Sequence, residues 1–389
     1  MTETINILLL EDCQEDADIL TRFLRKASLP YTLKRVWDEL SYVSTLQHEK
    51  VDLVISDNSL PQFSGIEACR IVKKLFNHIP FIMLTGTVME HTLTEYQNEG
   101  MDDYLFKDNL LRLPSAIDHV VSKKKIELLH AQLDQAHKDI KDSINYAKRI
   151  QGAIFPAPAK LEELFPQSFL LFRPKDVVSG DFYFLKKEKN ITYIVAADCT
   201  GHGVPGAFLS IIGISKIDTL LHHHSDPAEI LRRLNIRIKN TLSNSSHRDH
   251  HEGMDIAICA FDNDTNTLRY AGANRPLWIL KQNAEEILEI KATKKGIGQE
   301  RKLSVDKEFT SQTIQLEKGD SFYLFTDGYA DQFGGPNGKK LTSKKFKNLL
   351  VTIADQKMTE QGLYLSALHD EWRDDAEQID DILVIGVKI

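Results

Sequence analysis

The chain has 389 residues, 42% of them hydrophobic, enough for two or three domains that each bury a core. Lys plus Arg total 48 against 56 for Asp plus Glu, and the resulting charge of −8 argues against nucleic acid as the main partner. Four scattered cysteines (Cys13, Cys69, Cys199, Cys259) form no CxxC pair, and no apolar run reaches 18 residues, so a reduced, soluble, cytoplasmic protein without a membrane span is expected.

Residues 5 to 113 alternate short apolar runs with amphipathic stretches. INILLL (5–10), DLVISD (52–57) and PFIMLT (80–85) read as buried strands, with TLKRVW and DDYLFK as shorter ones. Helical periodicity falls near 15–28, 38–48, 65–76 and 90–99. This alternation predicts an α/β doubly wound parallel sheet. Ligands of such sheets collect at the C-terminal strand ends, where strands one and three are neighbours. Glu11 and Asp12 follow the first strand and Asp57 ends the third. Three converging carboxylates repel one another, and a hard cation relieves them. Thr85 ends the fourth strand and Lys107 follows the fifth, a hydroxyl and an ammonium suited to an added phosphoryl group.

Between about 113 and 154 the pattern changes. Apolar or small residues fall at Ile126, Leu129, Leu133, Ala136, Ile140, Ser143, Ala147, Ile150 and Ile154. The 3,4 spacing describes a heptad seam of about four repeats and predicts a helical, dimerising coiled coil. FPAPAK (155–160) then ends the helix with two prolines. The expected division is therefore 1–115, a helical linker over 116–154, and a third part over 155–389.

The third part is rich in short strand-like runs: SFLLFRP, DFYFLK, ITYIVAAD, MDIAICAFD, TLRYAGA, PLWILK, DSFYLFTD and DILVIGVKI. Helical stretches fall near 206–221, 227–242, 343–352 and 359–373, which predicts an α+β two-sheet sandwich. SNSSHRDHHEG (243–253) reads as a polar loop. The segment AADCTGHGVPGAFLS (196–210) allows a phosphate cradle, a nucleophile site or a metal anchor. It lacks the Gly-Lys-Ser/Thr of a P-loop, and Cys199 has no visible base. Asp181, Asp198, Asp327 and the pair Asp380–Asp381 all stand at the rims of apolar strands. Clustered carboxylates suit hard divalent cations, and no His/Cys set has zinc spacing. The histidines at 222–224 and 247–251 read as decoration of a helix end and a loop.

LLLED, ISDNSLPQFSG, MLTGT and DDYLFKDN resemble the receiver domain of bacterial response regulators. The resemblance implies that Asp57 is the phosphoacceptor and that Glu11, Asp12 and Asp57 hold Mg²⁺. It further implies that Lys107 pairs with the phosphoryl group, that Thr85 and Tyr104 form the switch, and that a histidine kinase or phosphotransfer protein is the donor. RPKDVVSGDFY, AADCTGHGVPGAFLS, GANRPLW, FTDGYAD and IDDILVIGV, in that order, resemble the SpoIIE-type branch of metal-dependent (PPM) serine/threonine protein phosphatases. That resemblance implies two Mn²⁺ or Mg²⁺ ions held by Asp181, Asp198, the Cys199 carbonyl, Asp327 and Asp380, with Asp380 favoured over Asp381. His202 is placed beside the metals, and Arg173 or Arg275 near the substrate phosphate. The implied substrate is a phosphorylated regulatory protein, such as an anti-sigma-factor antagonist. SINYAKRIQGAIFP joins the linker to the catalytic part, so the expected organisation is a receiver, a homodimerising helix (118–154) and a phosphatase controlled through Asp57. A non-catalytic adaptor and a nucleotide phosphodiesterase are the alternatives.

Overall fold

The structure, a computed structural model, describes residues 4–27, 30–86, 98–242, 252–299 and 307–389. Almost all of the helical pattern at 90–99, most of the polar loop at 243–253 and the histidines at 247–251 lie outside the described residues. The chain forms two compact units, Met1–Asp139 and Ile140–Ile389.

The first unit runs β1 (Ile5–Leu10), α1 (Gln14–Lys26), β2 (Tyr31–Val36), α2 (Glu39–His48), β3 (Leu53–Asp57), α3 (Gly65–Leu75), β4 (Phe81–Thr85) and β5 (Asp103–Phe106). All five strands are parallel, in the order β2-β1-β3-β4-β5. The sheet is buried on both faces. Ile7, Leu9, Ile55 and Ile82 enter one core, and Leu8, Leu10, Val54 and Met83 the other. Two-sided burial is why these strands read as unbroken apolar runs. The register pairs Leu10 with Ser56 and Asp57 with Leu84, so the carboxyl ends of β1, β3 and β4 finish at one rim. Ser64 and Glu67 form a capping box that starts α3 just past that rim.

α4 (Leu113–Ile154) is one helix of 42 residues. Its first turns bury Leu113, Ala116, Ile117 and Val120 in the core of the first unit. The helix therefore begins as the last element of that unit. From Ile126 onward the seam residues Ile126, Leu129, Leu133 and Ile140 are exposed.

In the second unit, Pro158 caps the short α5 (Ala159–Leu164), so the prolines both end one helix and precede another. There follow β6 (Ser168–Arg173), β7 (Phe182–Glu188), β8 (Ile191–Cys199), α6 (Gly203–Leu221), α7 (Pro227–Leu242), β9 (Met254–Asp262), β10 (Thr267–Ala273) and β11 (Leu277–Leu280). β12 (Leu288–Ile290), β13 (Gln312–Gln315), β14 (Ser321–Phe325), α8 (Gly328–Asp331), β15 (Phe333–Gly334), β16 (Lys339–Lys340), α9 (Ser343–Thr352), α10 (Met358–Arg373) and β17 (Ile382–Lys388) complete it.

Two antiparallel sheets, β13-β10-β9-β8-β7 and β12-β11-β14-β17-β6, pack face to face. Ile194, Ala196, Ala257, Phe322, Leu324, Leu383 and Ile385 fill the space between them. The outer face of the first sheet is covered by α6 and α7, and that of the second by α9 and α10. The unit is thus a four-layer α-β-β-α sandwich. α6 is long and apolar enough to cross a membrane by length and composition alone, and half of it is buried within this sandwich.

Candidate active sites

At the rim of the first unit, one carboxylate oxygen from each of Glu11, Asp12 and Asp57 lies within 4.8 Å of the other two. Lys107 Nζ contacts Asp57 Oδ2 at 3.2 Å, Glu11 Oε2 at 3.0 Å and Asp16 Oδ2 at 2.7 Å. Burial, only partly offset by Lys107, raises the Glu11 carboxyl above its ordinary range. The cluster is short of positive charge, and three hard oxygens at this separation fit one divalent cation. Thr85 is buried at the end of β4, and its carbonyl accepts the Lys107 main-chain N–H. Tyr104 on β5 stacks edge-on against Phe106. The structure brings Glu11, Asp12, Asp57 and Lys107 together and adds Asp16. Asp16 was missed because a helical acid on α1 looks like an ordinary solvated charge.

The second unit places its acids at one end of the sandwich. Along β8, alternation sends Ile194 and Ala196 between the sheets, and Asp198 continues that row at the strand's end. Tyr193, Val195, Ala197 and Cys199 face the helices instead. The Cys199 side chain is therefore a core residue, and burial followed by repulsion from Asp198 holds its thiol well above the ordinary range. Asp198, Asp255, Asp327, Asp380, His202 and Arg275 line a polar cavity of about 250 Å³, together with Cys199, Thr200 and Gly201. Asp181 lies buried beside it, its Oδ2 accepting the Thr326 hydroxyl at 2.6 Å. Asp381 does not line the cavity. Its carboxylate accepts main-chain N–H groups of Lys175 and Gly180, both at 2.7 Å, and ties down the loop that leads into Asp181.

Glycines let these segments touch. A Cβ on Gly206 would stand 2.2 Å from the Gly201 carbonyl oxygen, and one on Gly180 2.6 Å from the same atom. The loops that carry Asp181 and Asp198 are therefore packed main chain to main chain.

Burial pushes the Asp198 carboxyl up to about 8; Arg275 opposes this, while Asp327, Asp380 and Asp255 add repulsion. Burial and then Asp198 raise Asp181 as well, and burial with Asp327 raises Asp380. Arg275 contacts Asp198 and bonds Asp327 Oδ2 at 2.7 Å, and Lys175 lends Asp380 some positive charge. Hard oxygen donors around a polar cavity, too buried to stay ionised without more positive charge, fit divalent cations. Among the described residues these acids do not reach the mutual 4.8 Å seen in the first unit.

Of the two candidate arginines, Arg275 stands in this site. Arg173 instead forms a two-pronged bond to Asp370 at 2.7 and 2.9 Å. His202 Nδ1 lies 2.7 Å from Asp176 Oδ2, with Lys175 Nζ 3.2 Å from Nε2. His222 to His224 cap and follow α6, and His222 lies by Lys186 and Glu188. Asp255 was missed. It sits directly across from Asp198 in the β8–β9 register, and Asn274 donates to it at 2.8 Å. MDIAICAFD reads as an apolar strand, and only the pairing shows that its single early acid reaches the cavity.

Each of the two units has a match among known proteins. Residues 7–118 match the response regulator receiver domain, and residues 188–389 match the family described as Stage II sporulation protein E (SpoIIE). The SiaA-PP2C domain of Pseudomonas aeruginosa is 32% identical, with a TM-score of 0.59 over 65% of this chain and 98% of that one. Phosphoserine phosphatase RsbU of Bacillus subtilis is 25% identical over 52% of this chain and 57% of its own. Transcription factor SKN7 of Saccharomyces cerevisiae is 37% identical over 26% of this chain and 16% of its own. The chain thus spans less than two thirds of the length of these curated relatives.

Proposed function

Because the chain belongs to the SpoIIE family and joins a response-regulator receiver to a PP2C-type phosphatase domain, we propose that it removes phosphate from serine or threonine of a regulatory protein under control of Asp57. The observation that supports this most is the group of acids at the 250 Å³ cavity: Asp198, Asp255, Asp327 and Asp380 line it, and Asp181 is buried beside them. Two Mn²⁺ or Mg²⁺ ions bound there would supply an acidified water and offset the charge of the phosphoryl oxygens. Asp198, Asp181, Asp327, Asp380 and the Cys199 carbonyl are the groups that would hold them. Arg275, at the cavity wall beside Asp198 and Asp327, would orient the phosphoryl group. His202, held at Nδ1 by Asp176 and at Nε2 by Lys175, supports the cavity wall rather than reacting. Cys199 contributes main chain only.

In the receiver, Asp57 attacks a phosphohistidine, the phosphorus–nitrogen bond breaks, and Lys107 pairs with the transferred oxygens. Glu11, Asp12 and Asp57 would hold the Mg²⁺ that balances its charge. Thr85 and Tyr104 report the modification to the rest of the domain. The donor is a histidine kinase or phosphotransfer protein. The exposed seam of α4 supports a homodimer through residues 118–154, and the reading places the protein in the cytoplasm. The substrate is an anti-sigma-factor antagonist or a similar regulatory protein.

The test is Mn²⁺-dependent phosphate release from serine-phosphorylated antagonist proteins, with Asp198→Ala and Asp327→Ala beside the wild type. Each substitution is expected to lower turnover at least a hundredfold. Binding of the phosphoprotein without Mn²⁺-dependent turnover would establish an adaptor instead. Hydrolysis of a cyclic dinucleotide alone would establish a phosphodiesterase.

A further inference from the structure

Gln332 directly follows α8 and is 0% exposed. A buried amide is costly unless its hydrogen bonds are made. Its Nε2 donates to the Glu377 carbonyl at 2.9 Å and to the Phe333 carbonyl at 3.1 Å, and its Oε1 accepts the Ile379 N–H at 3.2 Å. The side chain thus grips the 377–379 segment at two main-chain atoms, and Ile379 is the residue before Asp380. The main chain of Gln332 is fixed as well. Its carbonyl accepts the Leu341 N–H at 3.0 Å and the Trp372 Nε1–H at 3.1 Å.

Two acids of the cavity depend on this corner. Asp327 caps one end of the four-residue α8, and Gln332 stands at the other. The β14–β17 pairing ends at Phe325 with Val384, and Asp327 and Asp380 both lie beyond it. Past the paired residues, α8 is held at both ends against the segment that carries Asp380. At the Asp327 end the hold is backbone contact: a Cβ on Gly328 would stand 2.0 Å from the Asp381 carbonyl oxygen. At the other end it is the Gln332 amide. Gln378 secures the far side of the segment, its Nε2 donating to the Arg173 carbonyl at 2.9 Å and to the Asp380 carbonyl at 2.8 Å.

We propose that Gln332 is a positioning residue for the phosphatase centre: it holds Asp327 and Asp380 at the separation that binds divalent cation. The two carboxylates repel each other, and the amide holds their segments together against that repulsion. Without it the Glu377 carbonyl and the Ile379 N–H lose a buried partner, so their segment moves off α8 and carries Asp380 with it. Cation binding must then close the gap itself. That lowers affinity, because the site is no longer preorganised, and leaves the closed site unchanged.

This inference rests on the phosphatase reading above, and the measurements separate the two. Mn²⁺ binding to the full chain is followed by titration calorimetry without substrate, and p-nitrophenyl phosphate hydrolysis is followed across Mn²⁺ concentrations. Cation taken up by the receiver is common to every variant, so the difference from wild type reports the phosphatase centre. Gln332→Met keeps the length of the side chain and removes its hydrogen bonds. It is expected to weaken Mn²⁺ binding about tenfold and to raise the Mn²⁺ concentration for half-maximal rate by the same factor. At saturating Mn²⁺ its kcat returns close to that of wild type. Gln361 supplies a matched control: it is equally buried, accepts the Tyr323 hydroxyl at 3.1 Å, donates to the Gln356 carbonyl at 3.1 Å, and does not line the cavity. Gln361→Met is expected to lower the melting temperature and to keep the wild-type Mn²⁺ titration. If Gln332→Met does not fold, Gln332→Asn carries the test, since its amide is one methylene too short to reach Glu377 and Ile379, and it shifts the titration in the same direction. An unchanged Mn²⁺ titration in a folded Gln332 variant overturns the proposal. So does an equal loss of affinity in Gln361→Met, or a loss of kcat that saturating Mn²⁺ leaves in place. A wild type that neither binds Mn²⁺ nor turns over overturns the phosphatase reading itself.

Discussion

His369 is buried on α10 against Tyr329, and among the described residues neither ring nitrogen has a hydrogen-bond partner. Burial, with Arg173 and Arg373 adding positive charge nearby, lowers its pKa from 6.5 to about 4. The folded state thus rejects a proton that the unfolded chain accepts. Above pH 6.5 both states are neutral and nothing is lost. As pH falls through 6.5 toward 4 the unfolded chain binds the extra proton, and stability drops by about 1.4 kcal/mol per pH unit. Urea midpoints at pH 7 and pH 5 are expected to differ less in His369→Leu than in wild type. Equal pH dependence in the two proteins would show that this ring does not set acid stability. His369 illustrates what a sequence conceals, because LHDEW (368–372) within a helix gives no sign of which face is sealed. Asp198 is the opposite case. Its place at the end of an apolar run, matched by Asp181, Asp327 and Asp380 at other strand rims, pointed to a metal site, whereas Asp255 became visible only through strand pairing.

Elements were legible in proportion to how thoroughly they are buried. β3, β4 and β14 are buried throughout, and their apolar runs mark them within a residue or two. β12 and β13 are mostly exposed edge strands and carry no such run, so they were missed. The four-residue α8 is likewise too short for any periodicity. α4 shows both regimes in one helix. Its first turns are buried, while Leu133 is 66% exposed and Leu129 53%. A run of exposed leucine and isoleucine at heptad spacing is costly to leave in water and is relieved by a second copy. The double substitution Leu129→Asp, Leu133→Asp is therefore expected to convert a dimer to a monomer in sedimentation equilibrium. A wild type that sediments as a monomer at micromolar concentration would remove the coiled coil from the account.

At the scale of the whole molecule, the two units have separate cores, and α4 is the element whose residues belong to both. Its beginning is packed beneath the rim that carries Asp57, and its end is bonded through Gln151 to Ser179. A switch of this kind works only through a free-energy difference between its two states, typically ~1–3 kcal/mol, which corresponds to roughly 5–150-fold in rate or affinity. Beryllofluoride is expected to change the phosphatase rate of wild type by a factor in that range and to leave Asp57→Ala unaffected. Identical rates for wild type, beryllofluoride-treated wild type and Asp57→Ala would uncouple the two halves. The order of parts was readable from motif order alone. The bond from the helix to the loop was not, because nothing in SINYAKRIQGAIFP distinguishes its glutamine from a surface one.

The contact of Gly206 and Gly180 with the Gly201 carbonyl bears on how tolerance to substitution should be interpreted in this protein. A methyl group at either position would drive apart the two loops that present Asp198 and Asp181. In a saturation survey both glycines would score like the acids, although neither has an atom that can bind a cation or move a proton. Intolerance at this rim therefore measures how closely two backbones must lie, as well as which side chains react.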